Sequence, residues 1–304
     1  MSDIACLFPG QGAQAVGMGK DFYDASPTSR DVFEKASDIL GYDIADLCFN
    51  GPKEELDRTD RSQVALLTVA MACFNAIKES GMKISINAGL SLGEFSALVA
   101  AGSIRFEDAL QLVEKRGRLM QEASEKIPGA MSAVIGLEES VLKEVAQQTG
   151  VELANFNSPG QIVISGRIEN IDEAEKLAKG KGAKKVVRLA VSGAFHCSLL
   201  REAQEKLNKY IDEVDICNPE TVFFSSITGD VISDSEQIRA ALKRQLVSPT
   251  LWQAAMENMK KNTKLFIEAA PAGIIKAMMR RVDKTAVVVA VNSVSDIEGI
   301  IARA

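Results

Sequence analysis

The stretch Ile84-Ser85-Ile86-Asn87-Ala88-Gly89-Leu90-Ser91-Leu92-Gly93-Glu94-Phe95-Ser96-Ala97-Leu98-Val99-Ala100-Ala101 decides the class of fold. Ile84 to Ala88 looks like a short buried strand, and Glu94 to Ala101 has helical spacing. Gly89-Leu90-Ser91-Leu92-Gly93 joins them, so a strand, a tight glycine turn and a helix follow one another within a few residues. A GxSxG turn of this kind lifts a serine to the apex of a sharp strand-to-helix bend, with its hydroxyl above the sheet. The helix behind it aims backbone N–H groups and the positive end of its dipole at the same spot. Taken alone, the pentapeptide reads equally well as a structural turn with a helix-capping serine. Its place directly after a buried strand makes Ser91 the candidate nucleophile, with the N–H of Leu92 as the first candidate donor to an oxyanion.

Outward from this unit the α/β alternation continues. Asp3 to Phe8 reads as a second buried strand, closed by Pro9-Gly10-Gln11-Gly12. Helical spacing covers 29–40, then 61–80 up to Gly81, and 106–126. Between 130 and 190 the pattern becomes strand 130–136, helix 138–148, strand 151–156, strand 161–166, helix 169–180 and strand 184–190. This βαββαβ order is that of the split βαβ, or ferredoxin-like, motif. Helix 196–213, strand 221–226, helices 235–246 and 250–261, strand 264–268, helix 273–282 and strand 285–290 then restore the alternation. The expectation is an α/β protein in which a discontinuous larger domain (1–127 and 193–304) carries an inserted small subdomain (128–192). The cleft between them is the natural ligand site.

Composition narrows the function classes. The chain has 304 residues, 46% hydrophobic and 25% charged, enough to bury a large core. A net charge of −6 leaves no broad basic field for a phosphate backbone, so nucleic acid is not an expected partner. The start MSDIACLFPGQG lacks a basic segment followed by an apolar run of signal-peptide length. The most apolar window, 64–77, falls short of the roughly 20 residues of a membrane span, so a cytoplasmic protein with no membrane partner is expected. Cys6, Cys48, Cys73, Cys197 and Cys217 show no CxxC spacing and read as reduced, buried thiols, with no metal site. The glycines at 10, 12 and 17 do not make GxGxxG, which excludes a dinucleotide fingerprint.

A serine needs a base to lose its proton near neutral pH, and imidazole is the usual one. The chain has one histidine, His196, where the insert returns to the larger domain. A lone histidine is more often a packed polar residue than a base; the pairing with Ser91 is what singles it out.

These segments together resemble the bacterial malonyl-CoA:acyl carrier protein transacylases. The resemblance is carried by Phe8-Pro9-Gly10-Gln11-Gly12-Ala13-Gln14, Gly89-Leu90-Ser91-Leu92-Gly93-Glu94, Arg116-Gly117, Asn155-Phe156-Asn157-Ser158-Pro159-Gly160-Gln161 and Ala194-Phe195-His196, and it spans nearly the whole chain. It implies an α/β-hydrolase-like core with a ferredoxin-like insert. It also implies transfer of malonyl from coenzyme A to the phosphopantetheine thiol of acyl carrier protein, in fatty-acid-type chain extension, by a monomer without a cofactor. In the roles it assigns, Ser91 attacks, His196 moves the proton, and a carbonyl oxygen of Gln245 accepts from the imidazole. The N–H groups of Gln11 and Leu92 form the oxyanion hole. Arg116 grips the malonyl carboxylate, Phe195 narrows the acyl pocket and Asn157 contributes to substrate binding. From sequence alone Lys115-Arg116-Gly117-Arg118 is equally a solvated helix face, and only the resemblance separates Arg116 from Arg118. Leu90 stands where the family has histidine, and Ala270-Pro271-Ala272 where it has Gly-Pro-Gly.

Two other classes share parts of this pattern. A serine esterase or thioesterase would use the same nucleophile, base and oxyanion hole but yield its acyl group to water, and a free-standing polyketide-type acyltransferase would differ only in pathway. A non-catalytic carrier-binding protein would not need Ser91, His196, Gln245 and Arg116 together. For an acidic carrier, Lys181, Lys184, Lys185, Arg188, Arg280 and Arg281 are the candidate contacts.

Overall fold

The computed structural model describes residues 3–301. Its strands are β1 (Ile4–Phe8), β2 (Ile86–Gly89), β3 (Gly129–Ile135), β4 (Glu152–Ser158), β5 (Gln161–Arg167), β6 (Lys185–Arg188), β7 (Val222–Phe224), β8 (Leu265–Glu268) and β9 (Val287–Ala290). They form two sheets: a five-stranded one in the order β7-β2-β1-β8-β9 and a four-stranded one in the order β4-β5-β3-β6. Every pairing in the first is parallel and every pairing in the second antiparallel.

A parallel sheet covered on both faces needs strands that are apolar at successive positions. On β1, Cys6 and Phe8 enter one core with helices Thr59–Glu79, Gly93–Ala100 and Phe106–Lys126, while Ala5 and Leu7 enter another with helices Trp252–Met259 and Ile274–Val282. The last of these helices is fixed from below by a carboxylate. Glu268, fully buried at the end of β8, accepts from the backbone N–H groups of Ile275 and Lys276, which satisfies free donors of the first turn. The four-stranded sheet packs helices Glu139–Thr149 and Ile168–Gly180 in a core of its own.

The two sheets are joined by more than the chain crossings. Phe156 N–H donates to the carbonyl of Thr250 at 2.8 Å, Thr250 N–H to that of Ala154 at 2.9 Å, and Asn155 Nδ2 to Thr250 Oγ1 at 2.6 Å. Thr250 thus adds one rung of parallel sheet to the edge strand β4.

Several expectations change. The helix expected over 196–213 begins at Arg201 after a 3-10 turn, Ser198–Leu200, because His196 has φ 57° and cannot be helical. The helix expected over 235–246 stops at Leu242, and Gln245 sits in a separate turn, Gln245–Val247, after Arg244 leaves helical geometry. In both stretches apolar residues keep helical spacing through the break, so the period alone hides it. The helix expected from 250 starts at Trp252, since Thr250 is engaged with β4, and the strand expected over 184–190 is confined to Lys185–Arg188. Short helices at Lys20–Ala25, Ile44–Asn50 and Lys53–Leu56, and the helix Val294–Ile301, were not foreseen. Four cysteines are buried as expected; Cys217 is exposed.

The turn after β2 is set by backbone crowding. A Cβ on Gly93 would lie 2.1 Å from the carbonyl oxygen of Phe8, and one on Gly89 would lie 1.9 Å from the Gly93 carbonyl. Both obstacles are main chain and cannot rotate away. Gly93→Ala is therefore expected to destabilise the fold by roughly 3 kcal/mol in urea unfolding. A loss below about 1 kcal/mol would show that the turn relaxes at little cost.

Candidate active site

The ends of β1 and β2 are neighbours in the parallel sheet, with β2 and β8 flanking β1 on opposite sides, and ligand crevices form beyond the carboxyl ends of strands at such a point. A cavity of about 360 Å³ opens there, between the two sheets. Ser91, His196, Arg116, Gln11, Phe195 and Asn157 all line it. Leu92 and Gln245 lie directly behind this lining, each 1% exposed.

Ser91 has φ 54°, in the left-handed region that a residue with a Cβ rarely occupies. Such strain is sustained only where the surroundings over-determine it, and here the crossing of β1 and the Gly89–Gly93 contact do so. Its Oγ lies 2.8 Å from His196 Nε2. On the far side of the ring, Nδ1 lies 3.0 Å from the backbone carbonyl of Gln245 and 3.2 Å from that of Ser248. Both are pure acceptors, so Nδ1 carries the hydrogen and donates it, leaving the Nε2 lone pair facing the serine hydroxyl. The tautomer is fixed by carbonyls, with no carboxylate. Burial and then the nearby Arg116 charge push the imidazole down to about 4, against the two carbonyls that raise it, so the ring is a neutral base at physiological pH.

Arg116 is 1% exposed, and its hydrogen-bond acceptors are all neutral. Nη1 donates to Gln63 Oε1 at 2.6 Å, Nε to Gln245 Oε1 at 3.2 Å and Nη2 to Ser91 Oγ at 3.1 Å. The guanidinium also lies 5.6 Å from the centroid of the Phe95 ring, within cation–π range. Among the described residues no carboxylate forms an ion pair with it. Burial lowers it to about 9, and the Glu94 charge beyond Gln245 opposes that fall, so it remains a cation at neutral pH. Gly117 makes its position possible: a Cβ there would lie 3.0 Å from the carbonyl of Thr59, so the helix carrying Arg116 rests directly on its neighbour.

Gln11 is held by its side chain, Nε2 donating to Thr59 Oγ1 at 3.1 Å, while its backbone stays at the cavity wall. Among the described residues the backbone N–H groups of Gln11 and Leu92 have no backbone acceptor. Asn157 Oδ1 is buried and likewise lacks a partner. Leu90, where a histidine was expected on resemblance, turns an apolar side chain toward the core of Met278 and Ile275 and lines the cavity.

Some participants were missed. Gln63 was hidden in an apolar helix, where a lone fully buried glutamine is the usable signal. Glu94 read as an ordinary acid in a first helical turn but is 1% exposed. Ser248 offered no signal, because it acts through its carbonyl. Of the basic candidates, Arg188 is paired with Asp172 and Glu175, and Lys181 with Glu144. Arg281 donates to Gln161 Oε1 at 2.7 Å, and Gln161 lines the cavity, so that guanidinium stands at the rim.

A buried serine–imidazole pair beside a buried cation, in a crevice of a parallel sheet, defines an acyl-transferring class of site. The comparisons make the assignment: the acyl transferase domain family matches residues 6–297, and the chain belongs to that family. It is 40% identical to the malonyl CoA-acyl carrier protein transacylase of Bacillus subtilis (strain 168), over 98% of this chain and 96% of that one. Among solved structures it is similar to the malonyl CoA-acyl carrier protein transacylase from Coxiella burnetii, with a TM-score of 0.94 and 36% identity over 99% of this chain and 98% of that one. It is equally similar to a malonyl-transacylase solved in complex with a type II PKS acyl-carrier protein, with a TM-score of 0.94 and 38% identity over the whole of both chains.

The depressed imidazole gives a testable pH dependence. Labelling of Ser91 by a neutral fluorophosphonate needs an unprotonated Nε2. Its rate is expected to stay level as pH falls through the ordinary imidazole range and to halve only near about 4; a midpoint near 6.5 would mean a solvated ring. The unfolded chain protonates this ring first, so the ring's contribution to stability is present above 6.5 and lost as pH falls toward about 4.

Proposed function

We propose that the chain transfers malonyl from coenzyme A to the phosphopantetheine thiol of an acyl carrier protein, through an ester on Ser91. The observation that carries this reading is the buried Arg116 guanidinium, bonded only to neutral oxygens, 3.1 Å from the nucleophile. A cation kept from water with no carboxylate bonded to it favours an acyl group that brings its own. Malonyl does so; acetyl does not.

In the first half-reaction His196 Nε2 takes the Ser91 proton as Oγ adds to the thioester carbonyl. The oxygen that becomes negative is received by the N–H groups of Gln11 and Leu92, each of such donors being worth about 10²–10³ in rate. The C–S bond then breaks, and the departing thiolate takes the proton back from Nε2. The carrier's thiol repeats these steps in reverse and leaves as the malonyl thioester. The substrate carboxylate draws Arg116 away from Ser91 Oγ and offsets its charge, which raises the imidazole's basicity when the proton must move. Phe195, 5% exposed in the cavity wall, restricts branching next to the carbonyl, a preference worth about 1–3 kcal/mol per methyl. Asn157 Oδ1 has an unused acceptor for an amide N–H of the pantetheine arm. Arg280 and Arg281, on the helix at the rim, face an acidic carrier, and the reaction needs no cofactor beyond the coenzyme A thioester as substrate.

We read the parallel sheet, with residues 1–127 and 193–304, as an α/β-hydrolase-like domain whose outermost residues lie outside the described ones. Residues 128–192 form the ferredoxin-like insert, a reading supported by the antiparallel order β4-β5-β3-β6. The expected setting is fatty-acid-type chain extension.

Intact-mass analysis after mixing with malonyl-CoA tests the assignment. Wild type is expected to gain one malonyl adduct and Ser91→Ala none, while Arg116→Ala loads malonyl at least about tenfold more slowly and acetyl relatively better. Rapid loss of the adduct to water, with no acceptor thiol present, would overturn transfer in favour of hydrolysis.

A further inference from the structure

Glu94 is a buried carboxylate that the steps above do not use. It sits one residue beyond the glycine turn, 1% exposed, and every hydrogen bond it makes is accepted: from Ser226 N–H at 3.2 Å, Ser226 Oγ at 3.1 Å and Gln245 Nε2 at 2.6 Å. Burial raises the pKa of this carboxyl, and the donors around it oppose that rise by favouring the ionised form.

The short contact to Gln245 has a directional consequence. An amide has distinct ends, and with Nε2 committed to Glu94, and to the carbonyl of Ser91 at 3.1 Å, Oε1 can only point the other way. There it receives Nε–H of Arg116. The main chain of the same glutamine accepts from His196 Nδ1. One residue therefore touches the nucleophile's backbone, the base and the carboxylate-seeking cation, and one carboxylate sets which way round it stands.

We propose that Glu94 is a positioning residue for acyl selection: acting through the Gln245 side chain, it orients Arg116 so that the guanidinium meets the acid end of the acyl group beside Ser91. The inference rests on the malonyl-transfer reading above. It follows that replacing the acceptor at position 94 by a donor inverts the amide. In Glu94→Gln the one remaining oxygen stays with Ser226 N–H, a main-chain donor that cannot turn over, so the new NH₂ meets Gln245 Nε2 donor to donor; Gln245 turns over, and its NH₂ then opposes Arg116 Nε–H.

Loading of Ser91 from malonyl-CoA and from acetyl-CoA is measured by intact mass across substrate concentration for wild type and Glu94→Gln. Labelling by a neutral fluorophosphonate runs alongside, since it needs serine and imidazole but no carboxylate clamp. The expected result for Glu94→Gln is a loss of roughly tenfold or more in malonyl loading, mostly in KM, with a clearly smaller loss for acetyl and for labelling. Equal losses for both acyl groups, or no loss at all, would each overturn the role of Glu94 while leaving malonyl transfer intact. Wild type that labels with the fluorophosphonate yet takes up no malonyl would overturn the transfer reading and this inference with it.

Discussion

A guanidinium sealed from water with only neutral oxygens around it is the constraint on which the cleft depends. Moving a charge into a protein interior costs several kcal/mol unless something repays it, and a pair or a ligand is the usual remedy. Arg116 has amide oxygens, a serine hydroxyl and an aromatic face, which hold it in place without cancelling its charge. The surroundings follow from that choice. Gly117 brings its helix close, Gln63 occupies an otherwise apolar face, and His196 beside it stays neutral partly because a second cation there is disfavoured.

The same logic explains why carbonyls orient the histidine. A carboxylate at Nδ1 would raise the imidazole's affinity for a proton and place a further negative charge near the Arg116 guanidinium. Backbone carbonyls fix the tautomer with dipoles alone. They come from a short irregular segment, and both its ends are anchored: Gln245 by Glu94 and Thr250 by β4.

Much of this was legible in the sequence for physical reasons. The parallel sheet announces itself because strands buried on both faces are largely apolar, as Ile4–Phe8 is throughout and Ile86–Gly89 is but for Asn87. Ser91 is legible because only glycine survives at 89 and 93. His196 is legible by being alone. Arg116 was not separable from Arg118 without the family resemblance, since the helical period does not say that a charged residue turns inward. The ends of the helices around His196 and Gln245 were misplaced for a related cause: apolar spacing persists through a backbone break when both sides pack on one core. Glu94 escaped because an acid in a first helical turn needs no special explanation, and its burial arises from residues more than a hundred positions away.

The rung that Thr250 adds to β4 has a bearing on how the molecule moves. A four-stranded sheet held only by its two chain crossings would swing on them like a door; this one is also latched by hydrogen bonds beside the carbonyls that steer the imidazole. A swing wide enough to admit a bulky guest would drag that segment and misalign the base. The jaws are therefore coupled to the chemistry, and an oversized acyl group is met by a cleft that can gape only by disarming itself.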